Sequence, residues 1–276
     1  MADYSIGIFS NYSTKSALKK AIKKGLIFVN GLTAKTALII CGGEKIECFT
    51  ENNESSKRHL NLELTLIFED EHLAIIEKPA GILVSGNNFK TIDNALIQNL
   101  KRSSLPDACK PRPVHRLDYP TTGLLLVGKT RSAITMLNQL FENKEIKKTY
   151  LAITIGEMDA QDTIQLPVDD KKAHTYYTII SSVKSTRFGK LNLLLLEPKT
   201  GRRHQLRKHL AHIGNQILGD REYGNPELLL KGKGMYLHAY TLEFIHPISK
   251  EPLKINSKFP KRFQKIVSDD FAIERH

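Results

Sequence analysis

The most informative segment of the chain is residues 113–130, PVHRLDYPTTGLLLVGKT. Its second half contains an apolar run of strand length, LLLVGK, whereas its first half places Arg116 and Asp118 two residues apart. Pro120 and Gly123 interrupt regular strand pairing, so we expect Asp118 to project from a loop beside a sheet. A carboxylate exposed in this way is the first candidate for chemistry.

Strand-length apolar runs occur on both sides of this stretch. They are TLIFED and HLAIIEKP from Thr65 onward, then YLAITIG, HTYYTIISSV, LNLLLLEP and LHAYTLEFI. Apolar residues recur at helical spacing over residues 131–142 and again at Leu206, Leu210 and Ile213, after which Gly214 predicts a helix end. Many strands with few helices predict an α+β fold, in which helices flank a mixed, mostly antiparallel central sheet.

A polar segment, ENNESSKRHLN at residues 51–61, contains few apolar anchors. Such composition is typical of a linker. We therefore predict a small N-terminal α/β domain over residues 1–50, a linker over 51–61, and a larger catalytic domain over 62–276.

The overall charge indicates a polyanionic partner. Lys and Arg number 41 against 29 Asp and Glu, a formal net charge of +12, and cations that neutralise phosphates release counterions. Net charge alone leaves open a basic protein that binds no polyanion. The three cysteines form no CxxC pair, and no apolar run reaches about 18 residues. We therefore expect a cytoplasmic protein without a membrane partner.

A basic amphipathic helix is predicted at KSALKKAIKK, residues 15–24. No acidic residue occurs between Tyr4 and Gly43, so positive charges accumulate on one face. An ordinary solvated face is the alternative, but such like-charge density favours contact with RNA phosphates. The predicted RNA-binding residues are Lys15, Lys19, Lys20, Lys23 and Lys24.

After this helix come GLIFVNG and IICGGEKIEC, which predict two strands and a turn at Asn30-Gly31. Residues 14–48 as a whole resemble the small RNA-binding domain first seen in a ribosomal small-subunit protein. The resemblance implies that the helix docks on structured RNA.

The body of the chain closely resembles the RluA-type pseudouridine synthases over residues 62–262. The motifs that carry the likeness are EKPAGILV, HRLDYPTTG, KKTYLAITIG, TGRRHQLRKHLAHIGNQILGDREYG and LHAYTLEFIHP. It implies Asp118 as the catalytic carboxylate, Tyr150 as a ring that packs on the uracil, and Arg207 as the partner of Asp118. Arg116 would help to extrude or replace the target nucleotide. The other expected substrate-binding residues are His115, Lys78, Arg203 and Leu206, with Lys78 facing the cleft.

The chemistry fits these roles. Breaking the C1′–N1 bond of uridine and reattaching C5 needs one ionised carboxylate near the ribose, as nucleophile or base. A guanidinium favours the ionised form and can hold it through two parallel hydrogen bonds, which lysine cannot do. An aromatic ring can cover a flipped base.

We expect no cofactor and no metal. His204, His209 and His212 lack metal-binding spacing, and helix packing or RNA contact is favoured for them. The expected partner is RNA, ribosomal rather than transfer RNA, acted on by a monomer. A binding-only RNA chaperone and a base-removing hydrolase are the alternatives, and a hydrolase would release free uracil.

Overall fold

The computed structural model describes residues 14–49, 60–230 and 232–267. The chain divides into two compact units, Met1–Arg58 and His59–His276. This division falls within the range predicted as a linker, although residues 51–59 of that range lie outside the described residues. So do the two outer ends of the predicted domains, residues 1–13 and 268–276. In the described ranges, no helix combines the length and the apolar character needed to span a membrane.

The small unit packs one helix on a three-stranded antiparallel sheet. Its elements are α1 Lys15–Lys23, β1 Ile27–Val29, β2 Leu32–Thr33 and β3 Ile46–Cys48, with β1 in the centre. Thr14 caps α1 by accepting a hydrogen bond from the backbone N–H of Ala17 at 3.2 Å. The predicted helix and turn are confirmed, since Asn30 and Gly31 both have positive φ, 50° and 79°.

Helix α1 is amphipathic as predicted. Leu18, Ala21 and Ile22 are buried and form a core with residues of β1. All five predicted lysines are exposed. This arrangement explains the apolar positions of the helix by packing and leaves its lysines accessible.

The described part of the large unit contains a ten-stranded sheet. Its central path runs β4-β5-β7-β12-β8-β11-β10-β9, with β6 paired to β7 and β13 paired to β12. Neighbouring described strands are antiparallel except for the parallel pair β7 and β12, so the predicted mixed, mostly antiparallel sheet is confirmed. The strands are β4 Thr65–Glu69, β5 Leu73–Lys78, β6 Ala108–Pro113, β7 Thr122–Thr130, β8 Lys147–Ile155, β9 Gln161–Ile164, β10 Thr175–Ser185, β11 Gly189–Pro198, β12 Leu237–Ile245 and β13 Pro252–Asn256.

Helices flank this sheet. They are α2 Ile92–Asn99, α3 Arg131–Glu142, α4 Gln205–His212, the 3₁₀ turn Pro226–Leu228 and α5 Lys261–Gln264. The predicted helix over 131–142 is confirmed, as is the end of α4 before Gly214, whose φ is 82°. Strands β2, β6, β9 and β13 and helices α2 and α5 were not predicted from the sequence.

The start of β7 is pressed against β12, and this contact sets the loop that precedes β7. Gly123 has a φ of +106°, and a Cβ placed there would lie 2.2 Å from the carbonyl oxygen of Ala239. A larger residue would therefore both strain the backbone and collide with the neighbouring strand. Leu124 to Val127 follow as fully buried residues, so the strand that carries the loop is anchored in the core.

Candidate active site

Asp118 lies in the loop between β6 and β7, as predicted, and a buried lysine fastens this loop. The Nζ of Lys78 donates to the carbonyl oxygens of Pro79 at 2.8 Å, Thr121 at 2.8 Å and Tyr119 at 3.3 Å. Burial lowers the pKa of Lys78 to about 8, against the opposing effect of the Asp118 charge. The prediction that Lys78 faces the cleft is wrong, because its side chain is fully buried and three backbone carbonyls surround its ammonium group.

A cavity of about 970 Å³ opens beside Asp118. Its wall is built from the Asp118 loop, β8, β12 and residues 197–207. Cationic side chains outnumber acidic ones among the described residues that line it, which suits an anionic polymer. The cations are Arg116, Lys144, Lys147, Lys148, Lys199, Arg202, Arg203 and Arg207, and the acids are Asp118, Glu142, Glu197 and Glu243.

Two nitrogen-bearing side chains flank the carboxylate of Asp118. His204 Nε2 lies 3.6 Å from Oδ1, and Arg207 Nη1 lies 3.7 Å from Oδ2. The Asp118 side chain keeps 16% of its surface exposed. One nitrogen atom therefore lies near each oxygen of the carboxylate, which remains accessible from the cavity.

Arg207, on α4, makes its strongest contacts with the turn at residues 220–223. Its Nε and Nη2 each donate to a different oxygen of Asp220 at 2.7 Å, and Nη2 also donates to Glu222 Oε2 at 3.0 Å. Its guanidinium carbon lies 4.8 Å from the ring centroid of Tyr223. Burial lowers the pKa of Arg207, but the hydrogen bonds and charge of Asp220 outweigh this effect and raise it.

The predicted two-bond grip of Arg207 on Asp118 is therefore wrong. The edge of the guanidinium that carries Nε and Nη2 faces Asp220, which leaves Nη1 to approach Asp118 at ion-pair distance. Sequence reasoning missed Asp220, although it stands in the quoted motif as an acid among many bases, at GDREYG. That motif also contains Glu222 and Tyr223.

His204 is also a site residue, although the sequence predicted only helix packing or RNA contact for it. Its Nδ1 lies 2.9 Å from the Tyr223 hydroxyl and 3.4 Å from Glu222 Oε1. The other two histidines of the motif differ: His209 is buried between Thr175 Oγ1 at 3.0 Å and the carbonyl of Leu166 at 2.9 Å, while His212 is exposed. Packing, one of the two expectations for these residues, holds for His209.

Tyr150 lines the cavity from β8, where it pairs with Ala239 of β12 and Leu196 of β11. Burial and the negative charge of Asp118 both raise the pKa of Tyr150. Its hydroxyl group therefore stays protonated, and the residue offers a neutral aromatic ring near the carboxylate.

Comparison with known proteins identifies this arrangement. A family profile described as RNA pseudouridylate synthase matches residues 72–212, just over half of the chain. The chain belongs to this family. A ribosomal large subunit pseudouridine synthase D from Xanthomonas campestris is 30% identical, over 95% of this chain and 86% of that protein. An uncharacterized RNA pseudouridine synthase from Aquifex aeolicus is 33% identical, over 92% of this chain and 89% of that protein.

Solved structures agree on the fold of the synthase. Human RNA pseudouridylate synthase domain containing 1 matches with a TM-score of 0.59 at 22% identity, over 72% of this chain and 84% of that chain. Human RNA pseudouridylate synthase domain containing 4 matches with a TM-score of 0.58 at 24% identity, over 72% and 90%. The RluA-type resemblance and the α+β fold expected from the sequence are thus confirmed, and the synthase is an enzyme that isomerises uridine in RNA to pseudouridine.

The remaining predicted residues of the synthase also border the cavity. Arg116 and Arg203 are exposed there, and Leu206 contributes an apolar surface. His115 lines the cavity too, but its Nε2 accepts a hydrogen bond from the backbone N–H of Leu126 at 3.0 Å. Burial and the nearby positive charge of Lys148 lower the pKa of His115 to about 3. That ring is neutral at physiological pH and ties the Asp118 loop to β7.

One cation of the cavity wall, Lys148, is partly buried. Lys148 lies two residues before Tyr150 on β8, with its Nζ 5.4 Å from the ring centroid of Phe141. Burial lowers the pKa of Lys148.

Within the described residues, no three His, Cys, Asp or Glu side chains are grouped so as to hold a metal ion.

Proposed function

We propose that the synthase modifies a uridine of large-subunit ribosomal RNA and that Asp118 is the carboxylate on which the reaction depends. Relatives from Xanthomonas campestris and Nitrosomonas europaea, 30% and 32% identical, are both named ribosomal large subunit pseudouridine synthase D. These names support ribosomal RNA over transfer RNA as the substrate.

The placement of Asp118 is the observation that carries this proposal. In the isomerisation the N1–C1′ bond breaks, a C5–C1′ bond forms, C5 loses its hydrogen and N1 gains a proton. Such a reaction needs an ionised carboxylate that reaches the ribose or the base. Asp118 meets this need because it is accessible from the cavity and approached by Arg207 Nη1 at 3.7 Å.

We propose that the target uridine enters the cavity by flipping out of its stack. Flipping costs a few kcal/mol, and stacking of the base on Tyr150 together with phosphate contacts to the cationic wall would offset that cost. Arg116, exposed beside Asp118, would occupy the place that the nucleotide leaves. His115 and Leu206 would contribute to the wall around the base, and Arg203 to phosphate binding.

We further propose that the small unit binds RNA through the exposed lysines of α1.

The three cysteines of the chain are free thiols, which supports a reducing compartment such as the cytoplasm. We also propose that the synthase acts as a monomer.

The proposal is tested by replacing Asp118→Asn. We expect turnover to be lost while RNA affinity changes by less than about twofold, because the change removes one catalytic charge and no phosphate contact. Turnover is measured as tritium released from large-subunit ribosomal RNA transcribed with uridine tritiated at C5, and affinity by filter binding.

Asp162→Asn is the matched control, since Asp162 is an exposed carboxylate on β9, and it should retain normal turnover. Retained turnover in Asp118→Asn would refute the role of Asp118. A transfer RNA transcript tested in parallel shows which class of RNA is modified. Release of free uracil in place of pseudouridine would favour the base-removing hydrolase.

A further inference from the structure

His204 stands between Asp118 and the turn at residues 220–223. Its side chain is 10% exposed, with Nε2 3.6 Å from Asp118 Oδ1 and Nδ1 2.9 Å from the Tyr223 hydroxyl. Glu222 contacts both His204 Nδ1, at 3.4 Å, and Arg207 Nη2, at 3.0 Å. The same short turn therefore contacts both side chains that flank the carboxylate.

The backbone of His204 adopts a strained conformation that does not help to cap α4. Its φ of 55° lies in the left-handed region, which non-glycine residues seldom adopt. The residue occupies the N-cap position of α4, yet its side chain makes no capping hydrogen bond. Strain of this kind, about 1 kcal/mol or more, is concentrated at functional sites. The ring of His204 is directed toward Asp118 and Tyr223 instead of the helix end.

We propose that His204 is a positioning residue that holds one oxygen of Asp118 while Arg207 faces the other. The Tyr223 hydroxyl also faces the Glu222 carboxylate, so this role requires that the hydroxyl donate to His204 Nδ1. The ring hydrogen then resides on Nε2 and points at Asp118 Oδ1. The carboxylate is then fixed about both oxygens, which limits its rotation. The distance of 3.6 Å exceeds that of a hydrogen bond, and we expect it to shorten when substrate RNA fills the cavity, since catalytic contacts often tighten in the enzyme–substrate complex. This inference rests on the proposed role of Asp118.

Two substitutions of His204 separate this role from a structural one. The amide of Gln reaches about as far as Nε2, whereas the amide of Asn reaches about as far as Nδ1. Asn accepts left-handed backbone more readily than Gln does. A residue needed for its backbone or its contact with Tyr223 is therefore replaced best by Asn, and a residue needed for its contact with Asp118 is replaced best by Gln.

We expect His204→Asn to lower the single-turnover rate at saturating enzyme by about 10- to 100-fold, as misplacement of a reacting group does. RNA affinity should stay within about twofold. His204→Gln should recover most of the rate, although it is the less stable of the two variants in thermal unfolding. The full chain is assayed with the tritiated large-subunit ribosomal RNA transcript.

Tyr223→Phe provides a second test that leaves His204 and its backbone in place. Without the hydroxyl, Nδ1 donates to Glu222, so Nε2 loses its hydrogen and presents a lone pair to Asp118. We expect the single-turnover rate to fall with unchanged RNA affinity. An unchanged rate would overturn the assigned ring hydrogen and with it the proposal, even if both His204 variants fail to fold.

The proposal is overturned if His204→Asn is as active as His204→Gln or more active, or if the loss lies in RNA affinity alone. Asp118→Asn in the same assay distinguishes a failure of the role proposed for Asp118 from a failure of the role proposed for His204. If Asp118→Asn turns over normally, the role of Asp118 and the inference fall together. If Asp118→Asn is inactive and the order of the His204 variants is reversed, the inference alone falls.

Discussion

Among single residues, the site depends on a buried ion pair between Arg207 and Asp220. Arg207 is 3% exposed and Asp220 2%, and two hydrogen bonds of 2.7 Å join them. Lysine keeps the charge but cannot make both bonds, so a buried carboxylate loses part of its partner. We expect Arg207→Lys to lower the free energy of unfolding by roughly 2–4 kcal/mol, measured by urea unfolding, and to lower turnover.

Arg203→Lys is the matched control, because Arg203 is exposed and lines the same cavity. Its free energy of unfolding should change by less than about 0.5 kcal/mol. Equal losses in the two variants would show that the contacts with Asp220 contribute no special stability.

At the level of secondary-structure elements, His115 joins the Asp118 loop to β7 through a hydrogen bond. The stability of the fold depends on pH through this residue. Burial lowers the pKa of His115 from 6.5 to about 3, so below pH 6.5 the unfolded chain takes up a proton that the folded protein does not. Stability therefore falls as the pH falls from 6.5 toward 3. His115→Gln keeps an acceptor for Leu126 but cannot titrate. We expect the free energy of unfolding of this variant to fall less steeply as the pH decreases. Between pH 7 and pH 4 the parent should lose about 3 kcal/mol more than the variant.

Urea unfolding at several pH values, followed by circular dichroism, measures this difference. His212→Gln is the control, since His212 is exposed at the end of α4, and it should follow the parent profile. If His115→Gln and the parent lose stability in parallel, protonation of His115 does not drive the loss.

At the scale of the whole molecule, the positive charge is expected to act through the small unit. We expect replacement of Lys19, Lys20 and Lys23 by Gln in the full chain to weaken RNA binding. Each lost phosphate contact should flatten the dependence of log K on log salt by about 0.7 to 0.9. The total change in slope should be about 2 to 3, measured by filter binding at several salt concentrations.

The control removes the same number of charges from the large unit, at the exposed residues Lys254, Lys258 and Lys261. Its salt dependence should change less. If both triple variants flatten the dependence of log K on log salt equally, the net charge of the protein accounts for the binding and the lysines of α1 have no special role.

The fold class was predictable because its signals are local. Apolar periodicity predicts the helix over residues 131–142 and the strand runs around it, and Pro120 with Gly123 predicts the loop that carries Asp118. Elements with mixed local signals were missed. Strand β6 contains Lys110, Arg112 and two prolines, so the pairing with β7 decides its conformation.

The partners of the site residues were decided by tertiary structure. Arg207 could face either Asp118 or Asp220, and the packing of α4 beside the turn at residues 220–223 selects Asp220 for the two short bonds. Lys78 is buried against three carbonyls because the Asp118 loop closes over β5. Local sequence signals were sufficient for the residue types and for the elements with clear apolar periodicity. Only the fold decided which donor meets which acceptor, because hydrogen bonds depend on distances of a few tenths of an ångström between segments far apart in the chain.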